Sequence, residues 1–260
     1  MPGGSLWSVN HNNIIPDELF LYLIQTEECF PEHLNRNDVI GKASACQCDV
    51  LILSFKKRCT ITPPVHVEYV FNSSTSWAEG RNVLFEIATT RTKNYLYYIF
   101  MDDDIILEEK VTTTNGKKIN NWRWFENFLK QVQPAIGAVD ADNNIRLEDM
   151  YRGRRQRRCA WKEKTDYLPA PRYDPAFNAF HHKAVKYLLP YPSQFDNLSW
   201  YYAELQVEIK CEVIFAGQSV LHTKLIAKNK QHRPYRKVMP QLKDFDYLVD
   251  SVRQGLPERY

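Results

Sequence analysis

Tyr97-Tyr98-Ile99-Phe100-Met101-Asp102-Asp103-Asp104-Ile105-Ile106 is the stretch on which the reading of this chain turns. From Tyr95 it runs as a continuous apolar segment of strand length, the pattern of a strand covered on both faces. It stops abruptly in three carboxylates. In parallel α/β sheets ligands bind outside the carboxyl ends of the strands, so the acids fall where a site is expected. Three adjacent anions repel one another. A hard divalent cation removes that cost and also binds phosphate oxygens. The bland alternative is an acidic, solvated turn after a core strand. An apolar run ending in Asp also marks the metal strand of P-loop nucleoside triphosphatases. That reading needs a G-x-x-x-x-G-K-[ST] loop, which the chain lacks; Asn115-Gly116-Lys117-Lys118 does not match.

Upstream, Asp49 to Phe55 is a second buried-strand run, and Val65 to Phe71 alternates as a third strand. Ser76-x-x-Glu79 is a capping box, and the apolar spacing of Trp77, Leu84, Ile87 and Ala88 predicts a helix over 77–90. Residues 1–45 are mixed. Glu18 to Ile24 is a short apolar run there, but no element is assigned to it.

Downstream, Trp122 to Val132 reads as a helix, Ala135 to Val139 as a short strand, and 140–167 as a long loop. Phe177 to Leu189 reads as strand into helix, and Asn197 to Cys211 as a helix. Glu212 to Phe215 and Ser219 to Leu221 read as late strands, followed by a basic stretch and a short helix near 244–252. Strands alternating with helices argue for an α/β protein with a mostly parallel sheet.

Composition agrees. The chain has 260 residues, of which 44% are hydrophobic and 25% charged, ordinary globular values that exclude disorder, collagen-like repeats and a disulfide miniprotein. Only 9 residues are Gly, so a phosphate site here does not depend on a glycine-rich loop. The net charge of +3 is too small to point to nucleic acid. No run approaches the roughly 20 apolar residues of a membrane span. As written the chain reads as soluble, without a secretory signal. A fragment lacking its anchor would place it in the Golgi or endoplasmic reticulum lumen, and otherwise it would be cytoplasmic. Six cysteines are too few for a disulfide scaffold at this length. Cys46, Cys48 and Cys59 lack the partner pair of a zinc ribbon. Asn72-Ser73-Ser74 and Asn197-Leu198-Ser199 fit the glycosylation pattern, which counts only in the secretory pathway.

At this point the chain resembles the nucleotide-sugar glycosyltransferases of the GT-A fold, over roughly residues 48–235. The matches are the strand Asp49 to Phe55 opening the nucleotide-binding half, Arg81-Asn82 near the start of the following helix, Phe100-Met101-Asp102-Asp103-Asp104-Ile105 as the family's D-x-D, and His222 after a late strand. The resemblance implies a single GT-A domain over 1–260: a Rossmann-like, mostly parallel sheet flanked by helices. The nucleotide half would be 46–105, the acceptor half 106–235 and a tail 236–260. It implies Mn2+ or Mg2+ on Asp102, Asp104 and His222, and a nucleotide-sugar donor of the UDP-sugar type. That donor would be held by Asp102, Arg81 and Asn82 and by a closing basic segment with Lys228, His232 and Arg233. It further implies transfer to a hydroxyl of a glycan, glycoprotein, lipid or small molecule, with no nucleic-acid partner.

For the acceptor half, Asp174 to Phe180 and Asp196 to Glu204 put carboxylates beside aromatics, which suits sugar rings and hydroxyls. An inverting transferase needs a carboxylate to take the acceptor proton. Asp196 and then Glu204 are the candidates, against helix capping for the first and a solvated face for the second. A retaining enzyme needs no such base, and the sequence does not choose between them. Two other readings stay open. One is a sugar-phosphate nucleotidyltransferase, which usually carries a Gly-rich N-terminal loop that this chain lacks. The other is a noncatalytic, transferase-like binding protein that docks an acidic partner on Arg152 to Arg158, a segment with five arginines.

Overall fold

The computed structural model describes residues 18–109, 120–141, 167–169, 174–194, 199–215 and 220–229. Arg152 to Arg158, Asp196, Asn197, His232, Arg233 and the tail 236–260 lie outside the described residues.

The strand left unassigned in the sequence is the centre of the parallel half. β1 (Glu18–Thr26) pairs in parallel with β2 (Cys48–Ser54) on one side and with β4 (Tyr95–Asp102) on the other. β2 pairs in parallel with β3 (Val67–Phe71). Residues Phe20, Tyr22 and Ile24 enter one core cluster and Leu21 and Leu23 the other, so β1 is buried on both faces. The parallel strands therefore begin ahead of residue 46, and Asp49 to Phe55 falls in the second of them. β5 is Ile105–Glu109, β6 Ile136–Ala141, β7 Tyr167–Pro169, β8 Phe177–His181 and β9 Val220–Asn229. The full order is β3-β2-β1-β4-β8-β6-β9-β5, with β7 also on β9. Beyond β4 the directions are mixed: β8 is antiparallel to β4 and β6, while β6 and β9 run parallel.

Helices cover both faces. α1 is Ala43–Cys46, α2 Trp77–Thr89, α3 Asn121–Val132, α4 His182–Leu188 and α5 Ser199–Phe215. The capping box at Ser76 is formed: Ser76 Oγ accepts from the Glu79 amide at 3.3 Å and Glu79 Oε2 from the Ser76 amide at 2.9 Å. Asn120 caps α3 through the amides of Trp122 and Arg123. Phe125, Phe128 and Leu129 of α3 pack on one face of the sheet. Leu84 and Ala88 of α2, Val185 of α4 and Val207 of α5 pack on the other.

Two late assignments change. Glu212 to Phe215 is the last turn of α5, not a strand. A run of three apolar residues after Glu212 does not separate helix from strand by period, and the helix begun at Ser199 carries through it. The strand expected at Ser219 to Leu221 is ten residues long and ends at Asn229, so Lys228 sits on a strand and not in a loop. Thr223, Leu225 and Ala227 alternate inward there, each at most 3% exposed.

The sequence left the pairing of the cysteines open. Cys29 pairs with Cys59 and Cys46 with Cys48, while Cys211 is buried and takes part in neither disulfide. Sulfurs paired in this way are not zinc ligands. Cys29–Cys59 joins the loop after β1 to the loop after β2, across a sequence separation of 30. Closing a loop of that length stabilises the fold by on the order of 3 kcal/mol, mainly through the unfolded chain. Peptide mapping without reductant is expected to recover the Cys29–Cys59 link, and reduction to lower unfolding stability by about that amount; two free thiols at these positions would contradict the pairing.

β8 hands over to α4 at His181, whose Nδ1 accepts the Lys183 amide at 3.2 Å. The ring is 8% exposed and meets Tyr97 edge-on at 5.1 Å. Burial, with His182 and Lys183 nearby, pushes its pKa down to about 3. An unfolded histidine takes a proton near pH 6.5, and this one does not until about 3. Stability is therefore present above pH 6.5 and is lost as pH falls toward 3. Melting scans from pH 7 to 5 are expected to show that loss, and His181→Asn, which keeps a capping oxygen, to flatten it. A wild-type profile flat over this window would contradict the assignment.

Candidate active site

The chain runs β1, β2, β3 outward in one direction, then crosses back to place β4 on the far side of β1. That reversal is a topological switch point, and the crevice at the carboxyl ends of β1 and β4 is where such sheets bind ligands. Gln25 and Asp102 are register partners at this edge. The three acids follow directly: Asp102 ends β4, and Asp103 and Asp104 form the turn into β5.

Asp102 is held from behind. Its Oδ1 accepts from Arg81 Nη2 at 2.8 Å and from the Trp77 indole at 3.2 Å. Its backbone amide donates to the Ala176 carbonyl at 2.9 Å. The Asp102 side chain remains 29% exposed, while that of Arg81 is 2% exposed. Arg81 Nη1 donates to the Pro175 carbonyl at 2.8 Å, and the guanidinium lies over the Trp77 ring at 4.0 Å. Arg81 thus joins the start of α2 and the end of β4 to the turn Asp174–Ala176 before β8.

Asn82 is also engaged elsewhere. Its amide nitrogen donates to the Tyr191 carbonyl at 2.8 Å, and its oxygen accepts the Tyr191 amide at 2.7 Å. That pairing docks the segment after α4 onto α2. Gly80 allows the first turn of α2 to lie against the end of β1; a Cβ there would meet Gln25 Nε2 at 1.9 Å. Gln25 donates to the Ser76 carbonyl at 3.3 Å, and among the described residues its buried Oε1 meets no donor.

The expected third metal ligand sits elsewhere in the sheet. His222 lies inside β9, with Ala138 of β6 on one side and Leu168 of β7 on the other. It is Asn229, seven positions later, that pairs with Ile105 beside the acidic turn. Seven residues correspond to roughly 20 Å of strand, so the backbone does not bring His222 to Asp104. Lys228 Nζ pairs with Glu108 Oε2 of β5 at 2.9 Å. Glu204 is half-buried on α5, which packs on α2 and α4. Asp104 is buried, at 6% exposure. Among the described residues no three His, Cys, Asp or Glu side chains cluster as a metal cage. A Mg2+-type ion does not need one: one or two carboxylates, water and substrate phosphates suffice. The acidic turn fits that kind of ion.

Sequence reading missed Trp77 as a site residue and placed it only on the apolar face of α2. Its spacing of four from Arg81, on the first turn beside the D-x-D, was the available signal.

No protein-family model matches the sequence, and none of the curated proteins does. Solved structures do. The structure of GalNAc-T7 with UDP, GalNAc and Mn2+ superposes with a TM-score of 0.55 at 10% identity, covering 90% of this chain. The chain has the GT-A fold. It spans 48% of the GalNAc-T7 chain, about half its length. Glucosyl-3-phosphoglycerate synthase from Mycobacterium tuberculosis, with Mg2+ and UDP, matches at 11% identity and a TM-score of 0.44 over 92% of this chain and 78% of that one. Among the described residues no helix is long and apolar enough to cross a membrane.

Proposed function

We propose that this GT-A chain is a metal-dependent glycosyltransferase that moves a sugar from a UDP-sugar to a hydroxyl acceptor. The observation that carries the reading is the acidic turn at the switch-point crevice, with Asp102 fixed on one oxygen and its side chain reaching solvent. UDP and a divalent ion accompany the GalNAc-T7 structure, which supports the donor and cofactor without fixing them for this chain.

In this reading Asp104, with Asp103 beside it, supplies the carboxylate that holds Mn2+ or Mg2+, and the donor diphosphate completes the coordination. The ion supplies Lewis-acid stabilisation of charge on the departing diphosphate. Asp102 orients the donor, and Arg81 and Trp77 keep Asp102 in place. For an inverting reaction Asp196 or Glu204 takes the acceptor proton. Asn229, the last residue of β9, pairs with Ile105 beside the acidic turn, and His232 follows it by three residues in the sequence. His232 is therefore the better third donor. His232→Ala is expected to weaken Mn2+-dependent UDP binding about tenfold or more, as loss of a metal ligand or its support does, and His222→Ala to leave it within about twofold. The reverse order would restore His222 to the site.

The two disulfides favour an oxidising compartment, hence a secretory lumen. The reading is tested by a donor-hydrolysis screen across nucleotide sugars with Mn2+ present. Release of UDP from one or more UDP-sugars supports it, and no metal-dependent hydrolysis or transfer of any donor would overturn it.

A further inference from the structure

We infer that Trp77 is a positioning residue for this site, acting through Asp102. The inference rests on the proposed transfer reading for the identity of the ligand, and on geometry for the role.

Both donors that reach the Asp102 carboxylate arrive at one oxygen: Trp77 Nε1 at 3.2 Å and Arg81 Nη2 at 2.8 Å. Among the described residues Oδ2 receives none. Two donors on one oxygen fix both the rotamer and the plane of the carboxylate, and direct the other oxygen outward from a side chain that is 29% exposed. Trp77 is the partner with the narrower role. Arg81 also carries the Pro175 carbonyl and the buried charge. The indole adds one directional N–H and a ring face, which lies 4.0 Å from the Arg81 guanidinium and 5.6 Å from the Tyr191 ring. The ring packs the guanidinium and the N–H aims the acid. An apolar residue of the same shape would keep the packing and lose the aim.

Trp77→Phe separates the two. The variant is expected to keep a near wild-type melting temperature and to bind UDP in the presence of Mn2+ about tenfold more weakly, the loss of one hydrogen bond to a charged group. In an Asp102→Asn background the same change is expected to cost less than about twofold, because both act on one contact. The Trp77 indole resonance, identified by its absence in Trp77→Phe, is expected to move upfield in Asp102→Asn. Equal losses in the two backgrounds, or an indole resonance that ignores Asp102→Asn, would overturn the inference. If the wild type binds no UDP, the transfer reading fails, and the same cycle run with Mn2+ alone decides Trp77: a loss coupled to Asp102 supports the role, and an uncoupled loss or no Mn2+ binding overturns it.

Discussion

Asp104→Asn is expected to lower metal-dependent transfer or donor hydrolysis by on the order of 1000-fold, with little change in fold. Asparagine keeps the size of the side chain, so the turn between β4 and β5 keeps its shape. What is lost is the negative charge that holds a hard cation. Removing one preorganised stabiliser of developing charge costs about 100- to 1000-fold in other enzymes, and loss of the ion removes more than one contact. The check is initial rate at saturating Mn2+ beside a melting curve of the same sample. Full activity with an intact fold would remove the acidic turn from the chemistry.

The second large effect concerns stability. Asp102→Ala leaves the Arg81 guanidinium, 1% exposed, without its charged partner. Breaking a buried pair from one side costs about 3–5 kcal/mol, because an uncompensated charge remains inside. The pair here is open to solvent on the Asp102 side, so the lower end of that range is expected. Asp102→Asn keeps an oxygen to accept from Arg81 and Trp77 and should unfold within about 1 kcal/mol of wild type, yet it should lose donor affinity. Denaturant titration of the two variants side by side reads the contrast. Equal stability of the alanine and asparagine variants would mean that Arg81 has another acceptor in reach.

The contrast explains which parts of the site were legible in the sequence. The strand ending in an acidic turn could be read because both the strand and the acids are local: an apolar run seven residues long, then three carboxylates. The helix of Trp77 and Arg81 was legible from its capping box for the same reason. The roles of Arg81 and Asn82 were not. Each makes its decisive bonds to residues about 90 to 110 positions away, Pro175 and Tyr191. No local pattern encodes such contacts. They follow from α2 lying between β4 and the segment around α4.

β1 was missed for a different reason. Its apolar run looks like any short buried segment, and neither period nor flanking turns distinguish it. Only the parallel pairing with β2 and β4 makes it the centre of the sheet. His222 was read from motif order, and order is not position. A strand ten residues long separates order from place, and its far end reaches the acidic turn. Lys228 was read as part of a basic loop because its charge hid the alternation of Thr223, Leu225 and Ala227.

Calorimetric titration of the full chain with UDP, with and without Mn2+, bears most directly on the site. Binding is expected only when Mn2+ is present, and Asp104→Asn is expected to abolish it. UDP binding that is indifferent to Mn2+, or no binding at all, would contradict the metal-dependent site at the end of β4.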